Sequence, residues 1–251
     1  MNKTALVTGG SRGLGKDMAM RIAEKGNDVI ITYLSNKEKA DEVVKSIEAK
    51  GQKAIALQLD TTKMESIDTF INELTSYLSE TKGSPNIDYL VNNAGIGNLQ
   101  PITETTEEAF DNLVNIHLKG VYFLTQKIIP YINTGGRIVN ISTGLARFAL
   151  PGYSAYAMMK GGIEVFTRYL AAELGTKGIA ANTVAPGAIE TDFLGGAVRD
   201  NKHVNDHIAS TTALGRVGLP EDIGSVVAFL CSEDARWINA QRIEVSGGQN
   251  I

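Results

Sequence analysis

Residues 4–15 read Thr4-Ala5-Leu6-Val7-Thr8-Gly9-Gly10-Ser11-Arg12-Gly13-Leu14-Gly15. A short apolar run typical of a β-strand ends there in a glycine-rich turn, and an amphipathic helical pattern follows. Glycines at such a turn leave room for a pyrophosphate, and the helix N-terminus offers free N–H groups to the phosphates. The stretch therefore predicts a dinucleotide site after the first strand. Its Gly-x-x-x-Gly-x-Gly spacing differs from the usual Gly-x-Gly-x-x-Gly fingerprint, so a tight turn without a nucleotide is the alternative for the glycines alone.

The alternation of strand and helix continues to the end of the chain. Predicted strands lie at 4–8, 29–34, 54–59, 89–92, 137–142, 180–184 and 242–245, and predicted helices at 13–25, 37–50, 64–79, 106–132, 154–176 and 220–230. Continuous apolar content in most strands is typical of a parallel sheet covered on both faces. We therefore predict an α/β fold with a doubly wound parallel sheet of about seven strands and helices on both faces. Without a repeat or linker, residues 1–251 are interpreted as a single domain, in which the irregular stretch 195–214 forms a substrate lid.

The composition excludes several classes of protein. Of the 251 residues, 43% are hydrophobic and 21% are charged, which is ordinary for a globular protein. The formal net charge of -4 does not indicate a basic surface for binding nucleic acid. The sequence shows no targeting signal and no apolar stretch that could span a bilayer. The single cysteine, Cys231, excludes an internal disulfide framework and fits a reducing compartment. We expect a cytoplasmic protein without nucleic-acid or membrane partners.

Further motifs stand at fixed places in this pattern, and each alone is modest. They are Asn92-Asn93-Ala94-Gly95 after the fourth strand, Asn115-Ile116-His117-Leu118-Lys119-Gly120 in the fourth helix, Tyr156-Ala157-Met158-Met159-Lys160 in the fifth helix and Pro186-Gly187 after the sixth strand. Together with the glycine turn they resemble the single-domain short-chain dehydrogenase/reductases over essentially the whole chain, and especially the 3-oxoacyl-ACP reductase-like ketoreductases. The resemblance implies a Rossmann-like sheet, an NAD(P)-dependent oxidoreductase acting on CH–OH and C=O groups, and a homotetramer or homodimer.

Tyr156 and Lys160 are the centre of the predicted catalytic site. They stand four residues apart on a helix, so their side chains share one face. We expect the Lys160 ammonium to favour the phenolate and lower the pKa of Tyr156 toward neutrality. Such pairs are common on amphipathic helices, and only the other motifs make this one catalytic. In the resembling family the tyrosine exchanges a proton with the carbonyl oxygen, the lysine also holds the nicotinamide ribose, and the residue matching Asn115 connects to a water relay.

The hydroxyl that orients the substrate carbonyl is predicted to belong to Thr143. The family places a serine thirteen residues before the tyrosine, and Thr143 occupies that position in this chain. Threonine keeps a hydroxyl that can donate to the substrate oxygen, while its methyl group narrows the site. Ser142 is interpreted as structural, although the choice between the two hydroxyls stays open.

NADP(H) is the predicted cofactor. Tyr33 ends the second strand, where an NAD-preferring enzyme usually carries an acid for the ribose 2′-OH, so no carboxylate there repels a 2′-phosphate. Arg12 matches the basic residue of NADP-preferring relatives, and Ser35 or Asn36 could add hydrogen bonds; a solvated loop charge is the alternative for Arg12. The resemblance implies further cofactor contacts at Gly9, Ser11, Gly13, Leu14, Gly15, Asp60, Thr61, Asn92, Ala94, Gly95, Tyr156, Lys160, Pro186, Gly187, Ile189 and Thr191.

Several features receive structural interpretations. Asp60 could equally be a strand-end acid that caps the next helix. His203 and His207 have helical spacing but no evident third ligand, so no metal site is predicted. His117 is interpreted as a packed or surface helix residue.

The expected function is NADPH-dependent reduction of a ketone, a β-keto ester or a 3-oxoacyl thioester to a secondary alcohol. Pocket walls are expected from Arg147, Phe148, Leu150, Phe193 and Leu194. The alternatives are an NAD-linked alcohol or sugar dehydrogenase and a non-catalytic dinucleotide-binding sensor. The physiological substrate, its stereochemistry and the pathway stay open.

Overall fold

A parallel sheet forms the centre of the molecule in the computed structural model, which describes residues 2–251. Its strands across this range are β1 (Thr4–Val7), β2 (Asp28–Tyr33), β3 (Ala54–Gln58), β4 (Ile87–Asn92), β5 (Ile132–Ile141), β6 (Ala180–Pro186) and β7 (Arg242–Val245). They are ordered β3-β2-β1-β4-β5-β6-β7, and all neighbours are parallel. The winding direction reverses between β1 and β4, where doubly wound sheets bind dinucleotides. The predicted fold class is confirmed.

Helices cover both faces of this sheet. Over the described part of the chain they are α1 (Gly13–Glu24), α2 (Lys37–Glu48), α3 (Met64–Lys82), α4 (Glu107–Val114), α5 (Val121–Ile128), α6 (Ser154–Leu174), α7 (Ala197–Asp200), α8 (Lys202–Ser210) and α9 (Pro220–Leu230). A π-helical turn, Asn115–Gly120, joins α4 to α5. Within residues 2–251, no helix has both the length and the apolar character needed to cross a membrane.

Alternate residues of each strand supply the two apolar layers, because successive side chains of a strand point to opposite faces. Val7 of β1 packs in the layer with Met18 and Ile22 of α1 and residues of α2 and α9. Leu6, its neighbour, packs in the other layer with Phe70 of α3 and residues of α5 and α6. Both layers are built from fully buried side chains, so the carboxyl ends of the strands sit on a rigid base.

The predicted helix 106–132 is wrong in its extent. The α-helix stops at Ile128, a short 3₁₀ turn follows, and Ile132 already begins β5. Pro130 lies in that 3₁₀ turn, and proline cannot continue a helix because it lacks the N–H and its ring meets the preceding turn. The π-helical turn also interrupts the predicted helix. A Cβ on Gly120 would lie 2.5 Å from the Thr61 carbonyl, so this close approach requires glycine.

The stretch 195–214 is not irregular as predicted, because it contains α7 and α8. Asn201 caps α8 by accepting hydrogen bonds from the backbone N–H groups of His203 and Val204. Both helices are too short to give a clear helical period in the sequence. Asn205 ties them to the chain after β6, since its side chain donates to Glu190 at 2.7 Å and to the Val198 carbonyl at 3.0 Å.

Candidate active site

The glycine turn after β1 is closely packed against its own helix. A Cβ on Gly15 would lie 2.2 Å from the carbonyl oxygen of Gly9, so α1 can approach the turn only without a side chain there. The Asn93 side chain holds the turn in place, donating to the carbonyls of Thr8 at 2.9 Å and Gly9 at 3.3 Å. Asn93 is not among the predicted site residues, although it stands inside the motif 92–95. The compact turn fits a pyrophosphate, which needs backbone N–H groups free of Cβ atoms.

Two other loops meet the glycine turn at the carboxyl ends of the strands. The loop after β4 reaches it through Ala94, whose Cα would lie 3.0 Å from a Cβ on Gly9. The stretch after β6 reaches it through Thr191, whose Cβ would lie 3.7 Å from a Cβ on Gly13. The structure therefore brings three separate groups of predicted cofactor residues together in one crevice.

The stretch after β6 is anchored to the C-terminal segment. The Gly187 N–H donates to the Val245 carbonyl at 3.0 Å, and the Ala188 N–H donates to the Gln249 side chain at 3.0 Å. Pro186 is the buried last residue of β6, and Ile189 forms a bridge with Gly218. These bonds fix the path of the chain as it enters the crevice.

The residues predicted to select the cofactor lie at the outer end of the crevice. Tyr33 ends β2 with its side chain buried in the apolar layer, whereas Ser35 is exposed. The Arg12 side chain is 64% exposed, and its guanidinium lies 3.7 Å from the carboxylate of Asp192. Asn36 caps α2, accepting from the backbone N–H of Lys39 at 2.9 Å. Arg12 is thus the cation placed beside the glycine turn.

Asp60 closes a local turn in front of α3. Its carboxylate accepts hydrogen bonds from the N–H of Thr62 at 3.0 Å and from the Thr62 hydroxyl at 2.6 Å. Burial alone would raise the pKa of this carboxyl, but these hydrogen bonds and Lys63 together lower it. Asp60 therefore closes the turn before α3 but does not cap that helix, whose N-cap residue is Lys63, and its cofactor contact stays a prediction.

Asn92 lies beneath the crevice rather than on its surface. The side chain is buried, and its amide donates to Asn140 at 2.8 Å and Thr125 at 3.0 Å. Asn140 in turn donates to Thr167 at 2.9 Å. These bonds direct the amide into a buried polar chain that links β4, β5, α5 and α6, and the cofactor contact of Asn92 stays a prediction.

Tyr156 and Lys160 lie on the first two turns of α6, and both side chains are buried. The Lys160 ammonium donates to the Ile141 carbonyl at 2.8 Å and lies 5.8 Å from the centre of the Tyr156 ring. Burial lowers the pKa of Lys160 to about 8 and raises the pKa of Tyr156 above its ordinary value. The expectation that Lys160 lowers the pKa of Tyr156 is not met, because burial, with a smaller contribution from the nearby Tyr153 phenol, raises that pKa.

Ser142 and Thr143 follow β5 and their hydroxyls have different surroundings. The Ser142 hydroxyl is buried and donates to Glu164 at 2.7 Å. The Thr143 hydroxyl is half-buried, and it accepts only a long 3.3 Å bond from the Leu145 N–H. Arg242 holds the backbone of Thr143, donating to its carbonyl at 3.2 Å. The Thr143 hydroxyl is therefore the one still able to bind a substrate oxygen.

Asn115 and His117 both lie in the π-helical turn, and His117 is the one placed against Tyr156. The His117 side chain is 1% exposed, and its ring meets the Tyr156 ring edge-to-face with 5.4 Å between centroids. The predicted connection of Asn115 to a water relay stays a prediction. The signal for His117 was its spacing of four residues from buried Leu113, which puts both on the face toward α6.

The crevice beside Tyr156 is bounded by aromatic and aliphatic side chains. The Phe193 ring lies 6.0 Å from the Tyr156 ring, and Leu194 approaches Gly97 of the loop after β4. Arg147, also expected as a pocket wall, has its guanidinium bound. It donates twice to Glu244 at 2.7 Å and also to the carbonyl of Gln249 at 2.8 Å, so its charge is engaged with the last strand and the C-terminal residues.

His203 and His207 lie exposed on α8. Across residues 2–251, no group of three or more histidine, cysteine, aspartate or glutamate side chains is arranged to hold a metal ion.

Comparison with known proteins agrees with this geometry. The model of a family described as enoyl-(acyl carrier protein) reductase matches residues 9–250. The chain is 36% identical to hydroxynaphthalene reductase arp2 of Aspergillus fumigatus, covering 95% of this chain and 89% of that protein. It is also 36% identical to the 3-oxoacyl-(acyl-carrier-protein) reductase FabG of Staphylococcus epidermidis, with 99% of both covered. The crystal structure of the angucycline C-6 ketoreductase LanV with bound NADP superposes with a TM-score of 0.94 at 36% identity, covering 99% of this chain and 95% of that one.

The chain belongs to the short-chain dehydrogenase/reductase family. Within that family it is an NAD(P)-dependent oxidoreductase acting on C=O and CH–OH groups, as the sequence analysis predicted.

Proposed function

We propose that the chain reduces the carbonyl of a ketone or 3-oxoacyl group with NADPH, and that Tyr156 supplies the proton. One observation carries the assignment of the site: the buried Tyr156 ring lies 5.8 Å from the Lys160 ammonium and 6.0 Å from the ring of Phe193, which follows β6. The bound nicotinamide would supply the hydride to the carbonyl carbon. The similar proteins whose names describe keto reduction support the same reaction class.

The surroundings of Tyr156 suit the direction of reduction. A group that donates a proton must hold it at neutral pH, and burial keeps the Tyr156 phenol protonated because it raises the pKa. As negative charge develops on the substrate oxygen, the phenol transfers its proton there and the Lys160 ammonium stabilises the phenolate left behind. The Thr143 hydroxyl donates a second hydrogen bond to the same oxygen and orients the carbonyl.

The preference for NADPH is assigned to the outer end of the crevice. The Arg12 guanidinium would pair with the 2′-phosphate, and the position of Tyr33 carries no carboxylate to repel it. Ser35 is exposed nearby and can add a hydrogen bond. The NADP found with LanV supports this assignment.

Residues 195–214 are proposed to act as the substrate lid. Three consecutive residues at its start, Leu194 to Gly196, have positive φ angles of 51°, 69° and 80°. Leucine in this region is strained, and such residues concentrate at segments whose conformation matters for function. Phe193 precedes these residues and its ring lies 6.0 Å from the Tyr156 ring, so movement of the lid would open or close the substrate side of the crevice.

The assembly is proposed to be a homotetramer or homodimer in the cytoplasm. An open groove between α5 and α6 is lined mainly by apolar side chains, and Tyr122, Val165 and Tyr169 are exposed along it. Contiguous apolar surface of this kind marks protein contacts, and a second copy would cover it with the same two helices.

The test compares Tyr156→Phe with Tyr169→Phe, which removes an exposed phenol from the same helix. NADPH oxidation by purified protein is followed by absorbance with a panel of ketones, β-keto esters and 3-oxoacyl thioesters. Loss of the proton donor is expected to lower kcat by about 10²- to 10⁴-fold in Tyr156→Phe. Tyr169→Phe should keep wild-type turnover, and both should bind NADPH by fluorescence. Full activity of Tyr156→Phe would falsify the assigned proton donor.

A further inference from the structure

The Arg242 side chain of β7 binds three separate parts of the molecule. Its Nε donates to the Glu164 carboxylate at 2.7 Å, its Nη1 to Glu244 at 2.8 Å and its Nη2 to the backbone carbonyl of Thr143 at 3.2 Å. A guanidinium presents its donors in a rigid plane. Partners in three directions around that plane therefore fix the relative positions of α6, β7 and the turn after β5.

Ser142 closes this arrangement into a ring. Its hydroxyl donates to Oε1 of Glu164 at 2.7 Å, and the same oxygen accepts from Arg242. Hydrogen bonds therefore run from Ser142 through Glu164 and Arg242 to the Thr143 carbonyl, and the chain itself joins the two ends. The backbone of Thr143, which carries the hydroxyl proposed to bind the substrate, is thus held on both sides.

The ion pairs of this ring belong to a cluster in which positive and negative groups alternate. Glu164 pairs with Arg242, Arg242 with Glu244, and Glu244 with Arg147. The side chains of Arg242 and Glu164 are only 24% and 14% exposed, so salt screens their attraction less than that of a surface pair. The guanidiniums, Arg147 first, lower the pKa of Glu244 to about 2. The cluster is therefore ionised and neutral overall at working pH.

Thr143 and Tyr156 must reach one substrate oxygen from different elements, because Thr143 follows β5 and Tyr156 lies on α6. Lys160 already ties α6 to the last residue of β5 by donating to the Ile141 carbonyl at 2.8 Å. The ring binds the next two residues of the chain to the same helix one turn later, at Glu164. Since a displacement of about 1 Å can cost about 100-fold in rate, the contacts that join β5 to α6 bear directly on catalysis.

We propose that Arg242 is a positioning residue of the active site: by binding the Glu164 carboxylate and the Thr143 carbonyl together, it holds the Thr143 hydroxyl at the separation from Tyr156 that a substrate oxygen requires. Arg242 acts through Thr143 and takes no part in proton or hydride transfer. Ser142 belongs to the same ring, so its hydroxyl serves the backbone rather than the substrate. The inference rests on the proposed function, in which Thr143 and Tyr156 both bind the carbonyl oxygen.

The kinetic test keeps the charge of Arg242 and removes its shape. In R242K the two carboxylates hold the ammonium by charge, and without the planar fork the neutral Thr143 carbonyl loses its donor. R242K should lose about 10-fold in kcat with the KM for NADPH unchanged, because the cofactor side is not altered. E164Q keeps an acceptor oxygen in the ring and should retain at least about half of wild-type kcat. R168M removes an exposed arginine from the same helix and should keep wild-type kcat.

A double-mutant cycle shows whether Arg242 acts through the Thr143 hydroxyl. T143V removes the hydroxyl and should lower kcat about 100-fold. In that background R242K should lower kcat by less than about 2-fold further, because no hydroxyl is left to position. An equal loss from R242K in both backgrounds overturns the proposal, since Arg242 would then support the site in some other way. Wild-type kcat in R242K or in T143V overturns it as well.

A second measurement needs no turnover, which separates failure of this inference from failure of the proposed function. Protein labelled with ¹³C at threonine carbonyls and ¹⁵N at glycines gives one correlated NMR signal for each Thr-Gly pair. The sequence holds three such pairs: Thr8-Gly9, Thr134-Gly135 and Thr143-Gly144. T143V removes the third signal and so assigns it.

R242K should shift the carbonyl resonance of Thr143 and leave those of Thr8 and Thr134 in place, because only the Thr143 carbonyl accepts a hydrogen bond from Arg242 among these three. R168M should leave all three unchanged. An unmoved Thr143 signal in R242K overturns the proposal. If the wild-type chain reduces none of the ketones, the proposed function fails, while these spectra still decide whether Arg242 holds Thr143.

Discussion

The two sides of the crevice are built in different ways. The cofactor side, around the glycine turn, is shaped by backbone atoms and by the absence of Cβ atoms. A Cβ on Gly15 would lie only 2.2 Å from the Gly9 carbonyl oxygen. The catalytic side is shaped by buried polar side chains that different elements bring together: His117 from the π-helical turn and Tyr156 and Lys160 from α6. A backbone-built site is sensitive to added volume, whereas a side-chain-built site is sensitive to charge and hydrogen bonding.

The largest effect is expected from adding one methyl group to the cofactor side. In Gly15→Ala the new Cβ meets the Gly9 carbonyl, so the turn must move, at a cost of about 3 kcal/mol of unfolding free energy. The matched control is Gly161→Ala, a glycine of α6 with nothing within 4 Å of the added Cβ, and it should stabilise the chain by about 0.5–1 kcal/mol. Urea unfolding and NADPH titration measure both.

The two substitutions should change the free energy of unfolding in opposite directions, and the contrast between the two sides depends on this difference. Gly15→Ala should also weaken NADPH binding at least about 10-fold, because the displaced turn no longer presents its N–H groups to the phosphates. Equal stability and equal NADPH affinity for the two variants would show that the glycine turn tolerates volume. The cofactor side would then not be backbone-built.

This difference also explains which features of the molecule could be predicted from its sequence. The fold and the glycine turn follow from local patterns: apolar strands, helical periods and glycines whose spacing acts over a few residues. The surroundings of Tyr156 do not, because they depend on burial and on residues distant along the chain. Ile96 and Ile141, which bind His117 and Lys160 through their carbonyls, have no side-chain signature in the sequence. The reversed expectation for the pKa of Tyr156 has the same origin.

The contacts of Arg147 and Asn92 also could not be predicted from local sequence patterns. Each was assigned to the crevice by its position in the sequence, and each is bound elsewhere. Arg147 pairs with Glu244 of β7, and Asn92 with Asn140 of β5. Glu244 and Asn140 each lie more than forty residues from their partner along the chain, so no local sequence pattern predicts these contacts.

The catalytic side is tested by the dependence of stability on pH. Burial, assisted by the Lys160 charge, lowers the pKa of His117 from an ordinary 6.5 to about 3 in the folded chain. Between these values the unfolded chain binds a proton that the folded chain does not, so stability falls as pH falls through this window and is fully present above pH 6.5. Between pH 7 and pH 5, the titration of His117 should lower the free energy of unfolding by about 2 kcal/mol.

H117F isolates that contribution, since phenylalanine does not titrate. Its loss of unfolding free energy between pH 7 and pH 5 should be smaller than that of the wild type by about the same 2 kcal/mol, measured by urea unfolding at both pH values. H203N serves as the control, because His203 is exposed and its removal should leave the wild-type pH dependence in place. Parallel curves for wild type and H117F would mean that His117 titrates alike in the folded and the unfolded chain.

The smallest effects are expected at the exposed outer end of the cofactor side, where Arg12 meets Asp192. Arg12→Ala should raise the KM for NADPH about 10-fold with little change for NADH, because the guanidinium serves the 2′-phosphate alone. Arg236→Ala, which removes an exposed arginine near the last strand, should change neither constant. Equal effects of Arg12→Ala on both cofactors would remove Arg12 from the 2′-phosphate site.

Asp192→Asn sharpens this point, because Asp192 competes with the phosphate for Arg12. The pair is long, at 3.7 Å, and the Arg12 side chain is 64% exposed, so its contribution to stability should stay below about 0.5 kcal/mol. Asp192 also pairs with the exposed Arg199. Removing the carboxylate should therefore lower the free energy of unfolding by less than about 1 kcal/mol and tighten NADPH binding about 2-fold. The gain should vanish in the Arg12→Ala background, where no guanidinium is left to release. Tighter NADPH binding that persists without Arg12 would mean that Asp192 repels another part of the cofactor. The cofactor side would then discriminate between cofactors by the charge of Asp192 as well as by the backbone shape of the glycine turn.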